Sequence, residues 1–310
     1  MKVDLEVKIG QTSLKSPILT AAGTSGHGAE LGAFGDLGKL GAITVKSLAV
    51  FPWSGNRPVR VAPIGRDMIN SVGLQGPSIK TWSEKYLPGI EKCGAKAVVS
   101  IWGRNISEFR EAAMEVSNIA EDSESIIAIE VNASCPNLEN RKRIFSHDKE
   151  VTKELVSEVK SRSGYLPVWI KLSPNTPDIV DIGGAAVERG AEVLVLTNTL
   201  VGFAIDTDSG KPVLGNKYGG VSGHALHSVA VRAVNECRLE FPKVGIVGVG
   251  GVFDAKDAIE FMMAGANAVG IGTALFKNPR APWKILNGMV SYCEDKQIQH
   301  IKDLNLIDEK

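Results

Sequence analysis

A lone cysteine stands between two asparagines at the end of a pattern typical of a buried strand. In the segment EVNASCPNLE, Cys135 comes three residues after Asn132 and two before Asn137. It follows the apolar run IIAIEV, so it lies where the backbone leaves a strand rather than inside one. The pKa of a free thiol is about 8.5. A modestly activated thiol therefore forms a thiolate near neutral pH, and the thiolate can accept a proton. These residues alone leave three roles open for Cys135: a packing residue, a metal ligand or a reagent.

Polar side chains also close other apolar runs of the sequence. Lys46 and Ser47 end one run, Lys171 ends another, and Asn198 with Thr199 ends a third. A lysine or asparagine in a strand normally faces solvent, and parallel strands buried on both faces have no solvent side. We therefore interpret these residues as functional. A lysine there could stabilise an anionic substrate or a developing negative charge, and a Schiff-base role is the alternative.

Glycines near the C-terminus predict a phosphate site. The segments VGVGG and GIGT place Gly250–Gly251 and Gly272–Thr273 at the ends of two successive apolar runs. Glycine-rich turns expose backbone N–H groups that bind phosphate, especially beside a helix N-terminus. The phosphate could belong to a mononucleotide cofactor such as FMN or to a phosphorylated substrate.

Eight short apolar runs, each followed by a helical pattern, must position these residues. Continuous Val/Ile/Leu runs are typical of parallel strands buried on both faces. An open doubly wound sheet is the alternative, but its phosphate-binding turn would fall in the first unit rather than the last two. The sequence therefore predicts one (β/α)8 barrel domain over residues 1–310, with an N-terminal β-hairpin and lid-like insertions at the C-terminal mouth. The eight runs are 17–23, 41–47, 96–102, 126–132, 167–173, 192–198, 244–250 and 267–273.

Composition excludes several other classes of protein. The formal net charge of the 310 residues is +0, which gives no bulk attraction to nucleic acid or a membrane surface. No apolar run approaches the roughly 20 residues of a membrane span, and the N-terminus lacks a signal-peptide core. Cys93, Cys237 and Cys293 are scattered, which argues against a metal site or disulfide framework and favours packing roles. We expect a cytoplasmic protein.

The motifs resemble those of the class 1 dihydroorotate dehydrogenases from about residue 5 to residue 290. Such a resemblance implies an FMN enzyme that oxidises (S)-dihydroorotate to orotate in pyrimidine biosynthesis. The segments that carry it are NASCPN, IKLSPNTPDI, LTNTLVGFAIDTDSGKP, GGVSGHAL, GVGGVFDAKDAIEFMMAGANAVGIGTALF, TAAGT, TVKS, GNRPVR and NSVGLQGPS.

The resemblance also implies residue roles. Cys135 matches the catalytic base, and a cysteine rather than a serine points to the soluble class; Lys46 and Lys171 match catalytic lysines. Asparagine amides suit the imide edge of orotate, and a lysine suits its carboxylate. The implied substrate contacts are Lys46, Asn70, Val72, Gly73, Leu74, Asn132, Asn137, Asn198 and Thr199. The implied FMN contacts are Ala22, Gly23, Lys46, Ser47, Asn132, Lys171, Gly223, Gly250, Gly251, Gly272 and Thr273.

The electron acceptor stays open at this point. One soluble class uses fumarate, and the other is NAD-linked and passes electrons to a subunit that carries FAD and an iron–sulfur cluster. NSVGLQGPS resembles the NAD-linked class more closely, and we expect a homodimer. The alternatives are an FMN-dependent dehydrogenase of another dihydropyrimidine and a non-redox barrel lyase or isomerase.

The segment after Cys135 departs from the family pattern. Many members continue with a glycine-rich stretch, whereas this chain continues LENRKRIFSHDKE. We expect this segment to cover the site. His147 within it is interpreted as a solvated loop histidine, with a catalytic role as the alternative.

Overall fold

A closed barrel of eight parallel strands forms the centre of the computed structural model, which describes residues 2–134, 144–176 and 178–305. The strands in chain order are β1 (Val7–Ile9), β2 (Thr12–Leu14), β3 (Ile18–Thr20), β4 (Ala42–Thr44), β5 (Val61–Ile64), β6 (Asp67–Asn70), β7 (Ala97–Ile101), β8 (Ile126–Asn132), β9 (Val168–Leu172), β10 (Val193–Leu196), β11 (Leu200–Phe203), β12 (Ile205–Asp206), β13 (Lys211–Pro212), β14 (Tyr218–Ser222), β15 (Gly245–Val249) and β16 (Ala268–Ile271).

Helices surround the barrel. Side chains cap the N-termini of three of them. Asn105 and Asp148 accept hydrogen bonds from backbone N–H groups in the first turns of two helices, and Asp254 forms a capping box with Asp257 in a third. The α-helices are α1 (Ile79–Lys85), α2 (Leu87–Lys92), α3 (Ile106–Ala120), α4 (Lys149–Lys160), α5 (Ile179–Glu188), α6 (His227–Glu240), α7 (Ala255–Met263), α8 (Ala274–Lys277) and α9 (Ala281–Asp295).

The barrel order confirms the predicted fold. Strands run β3-β4-β7-β8-β9-β10-β15-β16, and β16 pairs in parallel with β3 to close the ring. Each of the eight predicted apolar runs contains one barrel strand. The described part of the chain therefore forms a (β/α)8 barrel whose strands are buried on both faces.

The predicted N-terminal hairpin is also present and covers the N-terminal end of the barrel. Strands β1 and β2 pair antiparallel with Val7 opposite Leu14. Ile9 is fully buried, and a Cβ on Gly245, where β15 begins, would lie only 2.8 Å from the Ile9 side chain. The glycine therefore allows the hairpin to pack tightly against the barrel floor.

A four-stranded antiparallel sheet stands over the opposite end. Its order is β11-β14-β6-β5, so it joins the insertion after β4 to the insertion after β10. Sequence reasoning expected insertions at this end but did not assign strands to them. The contact between the two insertions is direct, because Asn70 of β6 pairs with Gly220 of β14.

No helix in the described ranges is both long enough and apolar enough to cross a bilayer.

Candidate active site

A chain of buried and half-buried polar side chains crosses the C-terminal end of the barrel. Asn132, the last residue of β8, donates from Nδ2 to Ser47 Oγ at 3.1 Å, and Ser47 Oγ lies 2.9 Å from Ser100 Oγ. Asn198 Nδ2 lies 3.5 Å from Asn132 Oδ1. The structure thus brings together residues from four strand ends, three of which were predicted site residues. Ser100 was not predicted.

Two charged residues lie inside this end of the barrel. Lys171 of β9 is only 6% exposed and Glu130 of β8 only 2%. Burial raises the pKa of Glu130, while the Lys171 charge and a hydrogen bond from Ser100 oppose that rise. Sequence reasoning took Glu130 as part of the apolar run. A lone acid in a strand buried on both faces was the signal that could have found it.

Lys46 is a second lysine at this end, and it is half-buried. Burial lowers its pKa, and the positive charge of Arg60 lowers it further. Its Nζ would stand 3.9 Å from a Cβ on Gly23, which adopts φ +85°. The predicted residues Gly23 and Lys46 therefore lie side by side, with no side chain between them.

His27 lies in the same loop as Gly23 and was not predicted. Burial is the main cause that lowers the pKa of its imidazole, and the Lys46 charge adds to it. Its Nδ1 is buried with no hydrogen-bond partner among the residues that the structure describes.

The predicted substrate loop is held by contacts with the segment before β5. Asn56 N–H donates to Val72 O at 3.1 Å. Gly73 adopts φ +74°, and a Cβ there would lie 2.5 Å from the Asn56 side chain, so only glycine fits. Leu74 also has a positive φ of 62°. Asn70 Nδ2 donates to Gly220 O at 3.2 Å, which ties the start of this loop to β14.

Asn198 and Thr199 are fixed by a third, unpredicted amide. Thr199 N–H donates to Asn198 Oδ1 at 2.9 Å. Asn175 Nδ2 donates to Thr199 O at 2.9 Å, and Asn175 Oδ1 accepts from Val201 N–H at 2.8 Å. Asn175 is within the segment IKLSPN that carried the resemblance, but no role was assigned to it.

His147 lies near this group. It is an exposed residue, and its Nε2 stands 3.3 Å from Ser173 Oγ, just after β9. Although the residue as a whole is exposed, its imidazole is partly buried, and this partial burial lowers its pKa.

The predicted phosphate residues gather at the neighbouring strand ends. A Cβ on Gly251 would lie 2.8 Å from Gly223 O, and Gly223, Gly250 and Gly251 have φ of +123°, +146° and +64°. Thr273 Oγ1 donates to Ser222 Oγ at 2.8 Å. Gly272 is less crowded, because a Cβ there would meet nothing nearer than Ala21 Cβ at 3.5 Å. This side-chain-poor backbone beside the helix α6 fits a phosphate group.

The predicted residues Cys135 and Asn137 lie outside the described residues, so their roles stay predictions. Of the other cysteines, Cys237 and Cys293 are buried, and burial raises the pKa of the Cys237 thiol to about 12. The expected buried packing role is wrong for Cys93, which is exposed at the C-cap of α2.

Comparisons with known proteins agree with the motifs. A family model described as dihydroorotate dehydrogenase matches residues 4–292. A protein from Alkaliphilus metalliredigens named "Dihydroorotate dehydrogenase B (NAD(+)), catalytic subunit" is 40% identical over 303 residues, which cover 98% of each chain. Proteins of the same name from Desulforamulus reducens and Geotalea uraniireducens are 40% identical over 304 residues and 38% over 303. These matches cover 98% of this chain, and 98% and 97% of the two relatives.

Proposed function

This chain belongs to the dihydroorotate dehydrogenase family, and we propose that it oxidises dihydroorotate to orotate with bound FMN as hydride acceptor. The observation that carries the proposal is the placement of two groups of residues. Asparagines and lysines that suit a planar anionic imide lie at the same end of the barrel as the glycine-rich phosphate cradle. A ring held by the first group would lie beside a cofactor held by the second.

The flavin is the group that would accept the hydride. Its phosphate would rest on backbone N–H groups at Gly223, Gly250–Gly251 and Gly272–Thr273. The first three of these residues have positive φ, and a Cβ on Gly272 would meet no protein atom nearer than 3.5 Å. The other proposed FMN contacts are Ala22, Gly23, Lys46, Ser47, Asn132 and Lys171.

The two lysines would stabilise negative charge, one on the flavin and the other on the substrate. Lys171 is buried, so its ammonium would act through a low dielectric on negative charge that develops during flavin reduction. Lys46 would meet the carboxylate of the substrate. Lys171→Ala should slow flavin reduction, and a wild-type reduction rate and flavin potential would remove this assignment.

The substrate ring would be held by amides and by loop backbone. Asn132 and Asn198 lie within reach of each other, and Asn70 is tied to Gly220 at the edge of the same opening. Asn137, Val72, Gly73, Leu74 and Thr199 complete the proposed set. Cys135 would take the proton from C5 of dihydroorotate while the hydride leaves from C6.

The relatives are named as catalytic subunits of an NAD+-linked enzyme, which suggests a partner for this chain. We propose that a second subunit carrying FAD and an iron–sulfur cluster receives the electrons. Within the described ranges, no cluster of His, Cys, Asp or Glu could hold a metal ion. A homodimer of the catalytic chain is also proposed, and light scattering should give twice the 33.0 kDa chain mass. We place the enzyme in the cytoplasm, where its free thiols would stay reduced.

Anaerobic titration tests the proposed reaction. Dihydroorotate added to the FMN-loaded protein should bleach the flavin absorbance, and dihydrouracil at the same concentration should not. Bleaching by dihydrouracil alone would favour the dehydrogenase of another dihydropyrimidine. A protein that takes up no FMN would favour the non-redox alternative.

A further inference from the structure

We propose that His227 is a positioning residue that turns the Gly250–Gly251 peptide so that its N–H faces the cofactor phosphate. This role rests on the proposed function, because the phosphate in question is that of FMN. It goes beyond that function by assigning a task to a side chain outside the proposed FMN and substrate contacts. Two hydrogen bonds of the imidazole, and one N–H group without a partner in the described ranges, carry the proposal.

The peptide between Gly250 and Gly251 has little of its own to fix its orientation. The two residues follow β15 and have φ of +146° and +64°, so both adopt conformations that favour glycine. Neither carries a side chain that would hinder rotation of the peptide plane. A flipped peptide would present the Gly250 carbonyl oxygen, rather than the Gly251 N–H, to an anion. A contact from elsewhere in the fold is therefore needed to select one orientation.

His227, the first residue of α6, makes that contact on the carbonyl side. Its Nδ1 stands 3.1 Å from Gly250 O. A carbonyl oxygen only accepts, so Nδ1 is the donor. The peptide is trans, and in a trans peptide the N–H points away from the C=O. The hydrogen bond to His227 therefore directs Gly251 N–H to the side opposite the imidazole.

That N–H is available for a ligand. Gly251 is a buried residue, yet within the described ranges its N–H donates no hydrogen bond. Buried backbone N–H groups are nearly always paired, so this one indicates a partner from outside the described chain. A phosphate oxygen is such a partner, because successive backbone N–H groups in turns of this kind bind anions. The same peptide thus has its carbonyl anchored on one side and its donor open on the other.

The imidazole is itself held by α7. Nε2 stands 2.9 Å from Glu260 Oε2, and the ring packs edge-on against Phe261 with 5.2 Å between the ring centroids. The His227 side chain is only 16% exposed, so water has little access to replace these contacts. A carbonyl and an ionised carboxylate both only accept, so the doubly protonated imidazole makes the two hydrogen bonds together. Glu260 therefore orients the ring, and the ring orients the peptide.

A comparison of FMN with riboflavin isolates the phosphate. Riboflavin has the same ring system without the phosphate, so its binding should not depend on the direction of Gly251 N–H. His227→Ala should weaken FMN binding by about tenfold, because a hydrogen bond to a charged group contributes at least that much. It should leave riboflavin binding unchanged. General damage to the barrel would weaken the binding of both ligands.

Two polar variants separate the two nitrogens of the ring. In His227→Asn the amide nitrogen can take the place of Nδ1 and donate to Gly250 O. In His227→Gln the longer side chain places its amide nitrogen near the position of Nε2, beside Glu260. We expect His227→Asn to retain most of the wild-type FMN affinity and His227→Gln to bind FMN as weakly as His227→Ala.

The support from Glu260 is tested by a double variant. Glu260→Ala leaves the Gly250 contact possible but frees the ring, so it should weaken FMN binding less than His227→Ala does. Residues that act through one another are not additive, so it should add no further loss to His227→Ala. His300→Ala is the control, because His300 also contacts a carboxylate, Asp4 Oδ2 at 3.1 Å, but pairs with the N-terminal segment. It should bind FMN like wild type.

Fluorescence titration of the full-length apoprotein with FMN and with riboflavin decides the outcome. Wild-type FMN affinity in His227→Ala, or equal losses for the two ligands, would overturn the role of His227. Equal FMN affinities in His227→Asn and His227→Gln would also overturn it, and this pair still decides if His227→Ala does not fold. A wild-type protein that binds riboflavin as tightly as FMN would instead overturn the proposed phosphate cradle.

Discussion

The two ends of the barrel are built from the same eight strands but have opposite chemistry. At the N-terminal end, Ile9 and Leu14 of the hairpin are buried and apolar, and they pack where the strands begin. At the C-terminal end, Asn132, Lys171 and Glu130 place amides and charges in a space that apolar side chains could fill. The N-terminal end therefore stabilises the fold, whereas the buried polar groups at the C-terminal end destabilise it but serve the reaction. Changes at the C-terminal end should affect function without unfolding the chain, and changes at the N-terminal end should do the reverse.

The largest expected effect is at Cys135, which comes three residues after the end of β8 in the sequence. Cys135→Ala should lower the rate of flavin reduction by dihydroorotate by at least about a hundredfold, because general-base catalysis typically contributes about 10²–10⁴-fold. FMN binding and thermal stability should stay unchanged. Stopped-flow absorbance under anaerobic conditions measures the rate. Cys135→Ser should regain activity only as the pH rises.

Cys93→Ala is the matched control, since Cys93 is exposed at the C-cap of α2. It should reduce flavin at the wild-type rate. A Cys135→Ala protein that is as fast as this control would show that the base lies elsewhere.

The opposite result is expected at the N-terminal end. Ile9→Ala removes a fully buried side chain and should lower the free energy of unfolding by about 3 kcal/mol. The rate of flavin reduction per folded molecule should not change. Urea unfolding followed by fluorescence measures the free energy of unfolding. A changed rate of flavin reduction per folded molecule would contradict the separation of stability and function between the two ends.

A smaller effect is expected in the phosphate cradle. Gly272→Ala adds a methyl group that meets no protein atom nearer than 3.5 Å, so it should intrude on the ligand rather than on the fold. We expect FMN affinity to fall about tenfold, equivalent to about 1.4 kcal/mol of overpacking. Gly251 would be a poorer choice, because a Cβ there would lie 2.7 Å from His227 Cβ.

Fluorescence titration of the apoprotein with FMN measures this affinity. Gly89→Ala in α2 is the control, since a Cβ there makes an ordinary 3.4 Å contact with Ala29 Cβ. Equal FMN affinity in the two variants would remove Gly272 from the proposed cradle.

The smallest effect concerns pH. Burial and the Arg60 charge lower the pKa of Lys46, so its ammonium is lost at a lower pH than that of an exposed lysine. Orotate affinity should therefore be full below the Lys46 pKa and decline as the pH rises through it. Lys46→Arg stays protonated and should bind orotate with a flatter alkaline pH profile. Profiles of the same steepness in both proteins would contradict the assignment.

The sequence predicted the barrel well because both-face burial produces continuous apolar runs. The run 126–132 matches β8 (Ile126–Asn132) residue for residue. Strands β11 and β14 were not assigned, because LVGF and YGGVS are short and contain glycines, and their partners lie far away in the chain.

Only some of the site residues were predicted from the sequence, for a related reason. Asn132 and Lys171 stand out because they interrupt apolar runs at strand ends. Glu130 lies two residues before Asn132, inside the apolar run rather than at its end, so it was not predicted although a lone acid in a strand buried on both faces is itself a signal. Ser100 and Asn175 are ordinary polar residues in sequence, and only their partners in space give them a role.

The pairing of β6 with β14 has a consequence for the order in which the molecule assembles. Asn70 and Gly220 are 150 positions apart in sequence, so closing that loop costs somewhat more chain entropy than pairing successive barrel strands, because the cost grows with the logarithm of loop length. Contacts of such long range form slowly, after the barrel has brought the two insertions near each other. The antiparallel sheet over the C-terminal end of the barrel should therefore be among the last elements to form. In hydrogen exchange, its amides should open at lower free energy than those of β8 and β9.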